Sequence, residues 1–414
     1  MNDAQSLQRD ASQFLDHIIV ELLNRTTVAP SERPARLGKL FVLEDATDIG
    51  RVLNEPQVFE KDFGLVSAFG PSRFNMNGAD WVNLRAKTQR YYAKAGRPSY
   101  LSVYRDIYSD ELTHMRSADH LGLEEAISRA ALRCFFYAFG IKVNVADFLP
   151  HFRDLRSMAE LLQFRSWIAA TETSSDLTTM SKELTRIRVA LWNTCQASPE
   201  LVALFNRFAT QGDPFPVETI FSDFLTNMFA GIETTTSSLM WMVDCLSHNP
   251  EMQAALRKDA NDNVDPRIDG FRDETMRLFP PIPFVVRKLS SPFQFGETSL
   301  NAGEMVLVSL VGLHRDPRYW TTPHEFRAGR AEFQRTAPSD NLAFRPFLAG
   351  PRVCGGRRIA EMELNVGLRL ILTNFEISTR AQQTGFRYSL AFRPVLTEEL
   401  DITPIASPSA PFHA

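Results

Sequence analysis

The sequence predicts a mainly α (α+β) protein, a single helix-rich domain whose strands are kept in small sheets. Three observations carry this. Helical periodicity dominates to about residue 280, and after that the pattern shifts to short strands. The 414 residues contain no long Gly/Ser- or Pro-rich linker and no internal repeat that would divide them, so 1–414 reads as one domain. At 44% hydrophobic and 23% charged, with a formal net charge of -4, the chain has the balance of a soluble globular protein. That composition excludes a disordered chain and gives no basic surplus for binding nucleic acid.

Taken in order, residues 1–25 mix Asp3, Arg9, Asp10, Asp16, His17 and Glu21 with Phe14, Leu15, Ile18, Ile19 and Leu22. This is an amphipathic helix and not the apolar stretch of ~20 residues that spans a bilayer, so neither an anchor nor a signal peptide is expected. Leu40 to Leu43 predicts a strand, Asp45 to Leu53 a helix, and Asp80 to Ala95 a further helix with Asp80 or Asn77 as its N-cap. A long helix is expected from about Val217 to Cys245. Ile220, Phe221, Phe224, Leu225, Met228, Ile232 and Leu239 form its core stripe. Asn227, Gly231, Thr234/Thr235 and Ser238 form a second stripe, small and polar, against which a flat ligand could lie. Strands are expected at Phe293 to Phe295, Met305 to Leu310 and around Tyr388 to Phe392, with a helix from Arg357 to Phe375 between them. Residues 406–414 form a flexible Pro/Ser tail.

Cys134, Cys195, Cys245 and Cys354 lack disulfide-framework or zinc-site spacing, which fits a reducing cytoplasm. Cys354 stands apart because of its company, Phe347-Leu348-Ala349-Gly350-Pro351-Arg352-Val353-Cys354-Gly355-Gly356. A lone cysteine is ordinarily a small buried hydrophobe. Here Gly350 and Gly356 supply tight backbone, N–H groups can aim at sulfur, Arg352 brings a cation, and the following helix offers its N-terminus. These features favour an ionised, metal-binding thiolate.

The ten-residue loop resembles the haem-binding signature of the cytochrome P450 family, and four further constellations occur in that family's order. Ala230-Gly231-Ile232-Glu233-Thr234-Thr235 resembles its oxygen-activating helix. Taken alone, Glu233 would face solvent and the threonines would back-bond to their helix. Glu274-Thr275-Met276-Arg277, stopped by Pro280-Pro281, resembles the Glu-x-x-Arg pair of the proximal side. Alone it would be an ordinary ion pair. His314-Arg315-Asp316 through Arg330 resembles the segment that completes that cluster, with His314 in place of the usual Asn and Ala328 in place of a proline. Trp81-Val82-Asn83-Leu84-Arg85 resembles the pair that grips a haem propionate, though such spacing more often marks packing or a cation–π contact.

The resemblance, which spans about Trp81 to Gly356, implies a soluble, bacterial-type haem-thiolate monooxygenase with haem b between the long central helix and the cysteine loop. Cys354 is then the axial iron ligand, and Thr234 and Glu233 deliver protons. Phe347, Gly350, Gly356, Ala230 and Gly231 border the haem, and Trp81, Arg85, Arg287 and Arg352 neutralise its propionates. Glu274, Arg277 and Arg330 lock the proximal side. Met228, Asn227, Phe284, Val285, Leu390 and Phe392 line an apolar pocket, with Phe63 to Phe74, Phe164, Trp167 and Ile282 as further candidates. Without a dinucleotide-binding Gly-x-Gly-x-x-Gly, NAD(P)H electrons must arrive through a separate reductase and a ferredoxin or flavodoxin. An acidic ferredoxin-like partner would dock on the Cys354 side at Arg357 or Arg358. A cytoplasmic monomer working in secondary metabolism is expected. A peroxide-driven peroxygenase, a haem-thiolate sensor and a non-haem helical interaction protein are the alternatives.

Overall fold

A computed structural model describes residues 16–62, 69–115, 117–151, 154, 174–209, 215–262, 266–334, 343–388 and 390–405. Residues 1–15, Phe63 and the rest of 63–68, Phe164, Trp167 and the 406–414 tail lie outside these. Residues 16–25 are helical, as the amphipathic pattern predicts, and bury Ile18, Ile19 and Leu22.

The main helices are α1 (Ala46–Asn54), α2 (Gly78–Ala95), α3 (Leu101–Thr113), α4 (His120–Ala138), α5 (Ser174–Gln196), α6 (Pro199–Ala209), α7 (Val217–Ser247), α8 (Pro250–Asn261), α9 (Pro266–Leu278) and α10 (Arg357–Asn374). Asp45 caps α1 by accepting from the N–H groups of Thr47 and Asp48. Asn77 stands at the N-cap of α2, but its side chain does not cap. Its Oδ1 accepts instead from Lys61 N–H and from Arg352. Every residue of the predicted core stripe of α7 is buried. This helix runs through the middle of the molecule, packing against α4, α6, α9 and α10. The approach of α10 depends on Gly367, where a Cβ would stand 2.8 Å from Leu239.

Among the described residues the strands form one five-stranded sheet and three two-stranded ribbons. In the larger sheet β1 (Arg36–Leu37), β2 (Leu40–Leu43), β7 (Met305–Ser309), β4 (Phe284–Leu289) and β3 (Phe59–Glu60) lie in that order. Only the β2–β7 pair is parallel. The ribbons pair β5 (Phe293–Phe295) with β6 (Thr298–Leu300), β8 (Phe375–Thr379) with β11 (Leu400–Pro404), and β9 (Gly385–Tyr388) with β10 (Phe392–Val395).

Two predicted strands end differently. β7 stops at Ser309, whose hydroxyl accepts from Gly312 N–H and opens a single helical turn, Leu310–Leu313. Around Tyr388 to Phe392 there are two strands and not one, with β9 ending at Tyr388 and β10 beginning at Phe392. Tyr388 and Phe392 are cross-strand partners, so the two strands meet antiparallel at this pair. Among the described residues no helix is long and apolar enough to cross a membrane.

Candidate functional site

The cysteine loop is built from strained backbone. Gly350 has φ 68°, and a Cβ there would lie 2.3 Å from the carbonyl oxygen of Leu53 in α1, so only glycine fits. Leu348 is also left-handed, at φ 62°. A 3-10 turn, Gly350–Arg352, then delivers Cys354 to the start of α10, with Cys354 N–H donating to Phe347 O at 3.0 Å. Gly356 has an ordinary φ of -91°. What it gives the site is its N–H, which bonds to the sulfur.

Cys134, Cys195 and Cys245 are buried with their thiols pushed up by burial, whereas Cys354 has its accessible face on a cavity. Burial also raises the Cys354 thiol, and it outweighs the Gly356 N–H and the Lys61 and Arg357 charges that pull it down. The donors are present, but desolvation is stronger, and a bound metal cation is what would ionise this sulfur.

The cavity holds about 280 Å³. Phe347, Cys354 and Gly356 form one wall, and Asn227, Ala230, Gly231, Thr234 and Thr235 of α7 form another. Trp81 and Arg85 of α2 close an edge together with Arg352. The small, polar stripe of α7 thus faces the cysteine loop across a space fit for a flat ligand. Ser238 alone departs from the stripe, bonding to Thr234 O, while the Thr234 hydroxyl donates to Ala230 O at 2.8 Å.

Glu233 is not on the cavity wall. It is buried and ion-paired with Arg393 of β10, which also binds Glu124 of α4. The ion pair with Arg393 draws the Glu233 side chain toward β10, while Thr234 stays on the cavity wall.

The pocket expectations divide in the same way. Asn227 and Ile282 line the cavity. Met228 is buried in the helical core, Phe284 packs on Tyr388, and Val285 lies in the core beneath the sheet. Leu390 packs against the helical core, and Phe392 packs on Trp241 while its carbonyl accepts from the Trp241 indole at 2.7 Å. Phe74, which falls in the predicted Phe63 to Phe74 stretch, is on the wall. Phe135 of α4, Tyr92, Leu310 and Leu348 are wall residues that the sequence did not single out. No periodicity could have named them, because each is brought in by tertiary packing.

The Trp81/Arg85 edge carries a surplus of positive charge. Arg352 stacks 3.9 Å from the Trp81 ring centroid, with Arg85 at 5.2 Å from the same ring, so the cation–π reading and the site reading both hold. Arg352 donates to Arg73 O, Met76 O and Asn77 Oδ1, and its Nε has no partner among the described residues. Burial and Arg85 pull the Arg352 guanidinium down to about 10, against a weaker opposing pull from Glu60. Arg287 is buried off the cavity wall, bonds to Val286 O, and is likewise drawn down to about 10 by burial and Arg352. Burial and the charges of Arg287, Arg352 and Arg73 hold Lys61 well below the usual lysine range. Arg73 is neutralised by Asp223 of α7 at 2.6 Å, but no carboxylate ion-pairs with Arg287 or Arg352 among the described residues. Buried cations demand anions, and a flat ligand edged with carboxylates meets that demand.

Beneath the cysteine loop, Glu274 of α9 pairs with Arg277 at 2.7 Å and with Arg330 at 2.8 Å, all three buried. Arg277 also donates to the carbonyls of His314, Pro323 and Glu325, so the cluster assembles despite Ala328. The His314 substitution has its own structural part. Arg345 N–H donates to Nε2 at 3.0 Å, which leaves Nδ1–H to donate to Arg277 O at 3.2 Å. Burial and the Arg277 and Arg315 charges lower this imidazole to about 3. A neutral histidine therefore ties the ion cluster to the segment that enters the cysteine loop.

A cysteine facing a long helix across one cavity with a cationic edge, in a helix-rich fold, is the arrangement of a haem-thiolate protein. The family model for cytochrome P450 matches residues 179–391, about half of the sequence, and the chain belongs to that family. It is similar to Cytochrome P450 4X1 of Mus musculus, 34% identical over 167 residues, or 37% of this chain and 33% of the relative. Cytochrome P450 4B1 of Homo sapiens is 33% identical over 168 residues, with 37% and 33% covered. Taurochenodeoxycholic 6 alpha-hydroxylase of Sus scrofa is 35% identical over 167 residues, also 37% and 33%. The matched stretch spans about a third of the length of each relative. Haem is the family's cofactor, and the residues described above fit it.

Proposed function

We propose that the protein is a haem-thiolate monooxygenase that oxidises an apolar small molecule with dioxygen and electrons from a separate redox partner. The observation that carries this reading is the placement of Cys354 opposite Gly231 and Thr234 on one cavity, edged by Trp81, Arg85 and Arg352. Cys354 would hold the iron, Ala230 and Gly231 would border the porphyrin face, and Arg85, Arg287 and Arg352 would balance its propionates. When bound, haem supplies the activation of oxygen, which thiolate ligation favours.

The chain's own residues then set the conditions. Thr234 holds a proton at Oγ1 on the cavity wall and can turn it from Ala230 O toward a ligand. Glu233 stands behind it, fixed by Arg393, as a reserve of negative charge away from the ligand. Phe74, Phe135, Ile282 and Leu310 exclude water and orient an apolar substrate. A relative named as a hydroxylase supports hydroxylation as the reaction. Secondary metabolism, a cytoplasmic setting and a monomeric state belong to the same reading.

For the electron donor, Arg357 is committed to Glu361 at 2.9 Å, whereas exposed Arg358 has no ion-pair partner among the described residues. Arg358 is thus the better candidate for steering an acidic ferredoxin or flavodoxin. Arg358→Glu should slow reduction, with the effect shrinking at high salt.

The first test is the carbon monoxide difference spectrum of the reduced protein, which should show the thiolate band and lose it in Cys354→Ala. A normal band in that variant would overturn the assignment. Turnover with hydrogen peroxide, compared with turnover with NAD(P)H, reductase and ferredoxin, then separates a peroxygenase from a monooxygenase.

A further inference from the structure

Glu363 is a buried acid that the proposed reaction leaves unused. It lies on α10, farther along the helix that Cys354 leads into, and on the wall of the same cavity. Tyr108 of α3 donates its phenol to Glu363 Oε2 at 3.0 Å. Gly367, one turn later, lets the two helices close to this distance, since a Cβ there would meet Tyr108 at 3.2 Å.

The titratable groups facing Glu363 are Tyr104 and Tyr108 from α3 and Cys134 from α4, all three raised first by burial and then by Glu363 itself. α10 also packs against α2, α7, α8, α9 and β8, and none of these adds a charge that acts on Glu363. Burial therefore dominates, outweighs the Tyr108 hydrogen bond, and pushes the carboxyl up to about 8. An acid with no cation partner among the described residues, in a low dielectric and on the cofactor cavity, responds to any charge added there.

Building on the haem-thiolate reading, we propose that Glu363 takes up one proton from solvent when a one-electron carrier reduces the cofactor at Cys354. The balance is one electron to iron and one proton to the carboxylate, and both leave on reoxidation. Oε2 accepts from the Tyr108 hydroxyl, which leaves Oε1 to carry the proton. The net charge of the buried site then stays constant through reduction.

Potentiometry of the haem-loaded protein across the pH range around the Glu363 titration tests this. The wild-type potential should fall as pH rises through that range, by about 59 mV for each tenfold difference in proton affinity between the oxidised and reduced states. Glu363→Gln should flatten the profile and remove a carboxylic C=O band from the redox-difference infrared spectrum. Tyr108→Phe removes a bond that lowers Glu363, so it should keep the slope and move it to higher pH. A flat wild-type profile, or a wild-type slope retained in Glu363→Gln, overturns the proposal. Should Glu363→Gln fail to fold, an unmoved profile in Tyr108→Phe overturns it equally. The carbon monoxide difference band, recorded on the same samples, reports separately whether the haem-thiolate reading stands.

Discussion

Acidification should cost this fold a defined amount of stability through His314. The imidazole is neutral in the folded chain, where burial and the Arg277 and Arg315 charges hold it to about 3, against 6.5 when unperturbed. Below 6.5 the unfolded chain binds a proton that the folded chain does not. The contribution of His314 is therefore fully present above that pH and is lost as pH falls toward 3. Between pH 8 and pH 5 the loss is about 2 kcal/mol, or roughly a thirtyfold fall in the ratio of folded to unfolded chain. Urea unfolding followed by tryptophan fluorescence at both pH values measures it, with His314→Asn as the reference. The variant is less stable at pH 8, because the bond to Arg345 N–H or to Arg277 O is weakened, but it should lack this part of the acid sensitivity. Other titrating groups are common to both proteins and cancel in the difference. Equal losses in wild type and variant would refute the assignment of a neutral, buried His314.

Thr234→Ala should keep the haem spectrum and divert reduced oxygen to peroxide, measured as peroxide formed per NAD(P)H consumed; full coupling would remove Thr234 from proton delivery. Glu274→Ala leaves Arg277 and Arg330 buried without their shared carboxylate and should cost about 3–5 kcal/mol, read from the urea midpoint. Gly350→Ala places a methyl against Leu53 O at a left-handed φ, so haem should dissociate faster to an apoprotein acceptor. An unchanged rate would mean that the loop relaxes freely against α1.

Local chemistry was the legible part of this sequence. The cysteine loop, the Glu274/Arg277 spacing and the two stripes of α7 are short-range patterns, and the structure brings each to the same cavity or to the layer beneath it. Residues whose role depends on direction were read less well. Glu233 is one position from a cavity residue, yet it ends on Arg393. Phe284 and Val285 follow Ile282 in sequence, but β4 turns them into the sheet's two cores. Asn77 sits at an N-cap yet spends its side chain on Arg352 and Lys61. Tyr108 and Glu363 are 255 residues apart. No helical or strand period relates such a pair, and only the close packing permitted by Gly367 reveals it.

The cationic edge of the cavity bears on how the protein is made. Arg352 is repelled there by Arg85 and itself repels Arg287, buried behind the wall, and in a newly synthesised chain no propionate yet balances them. On the proposed reading, this repulsion would weaken the docking of α2 against the cysteine loop until cofactor arrives, with haem as the counterion that completes assembly. Yield in a producing cell should accordingly follow its haem supply more closely than its message level. Chains that miss their cofactor would be left ajar at this edge and open to proteases.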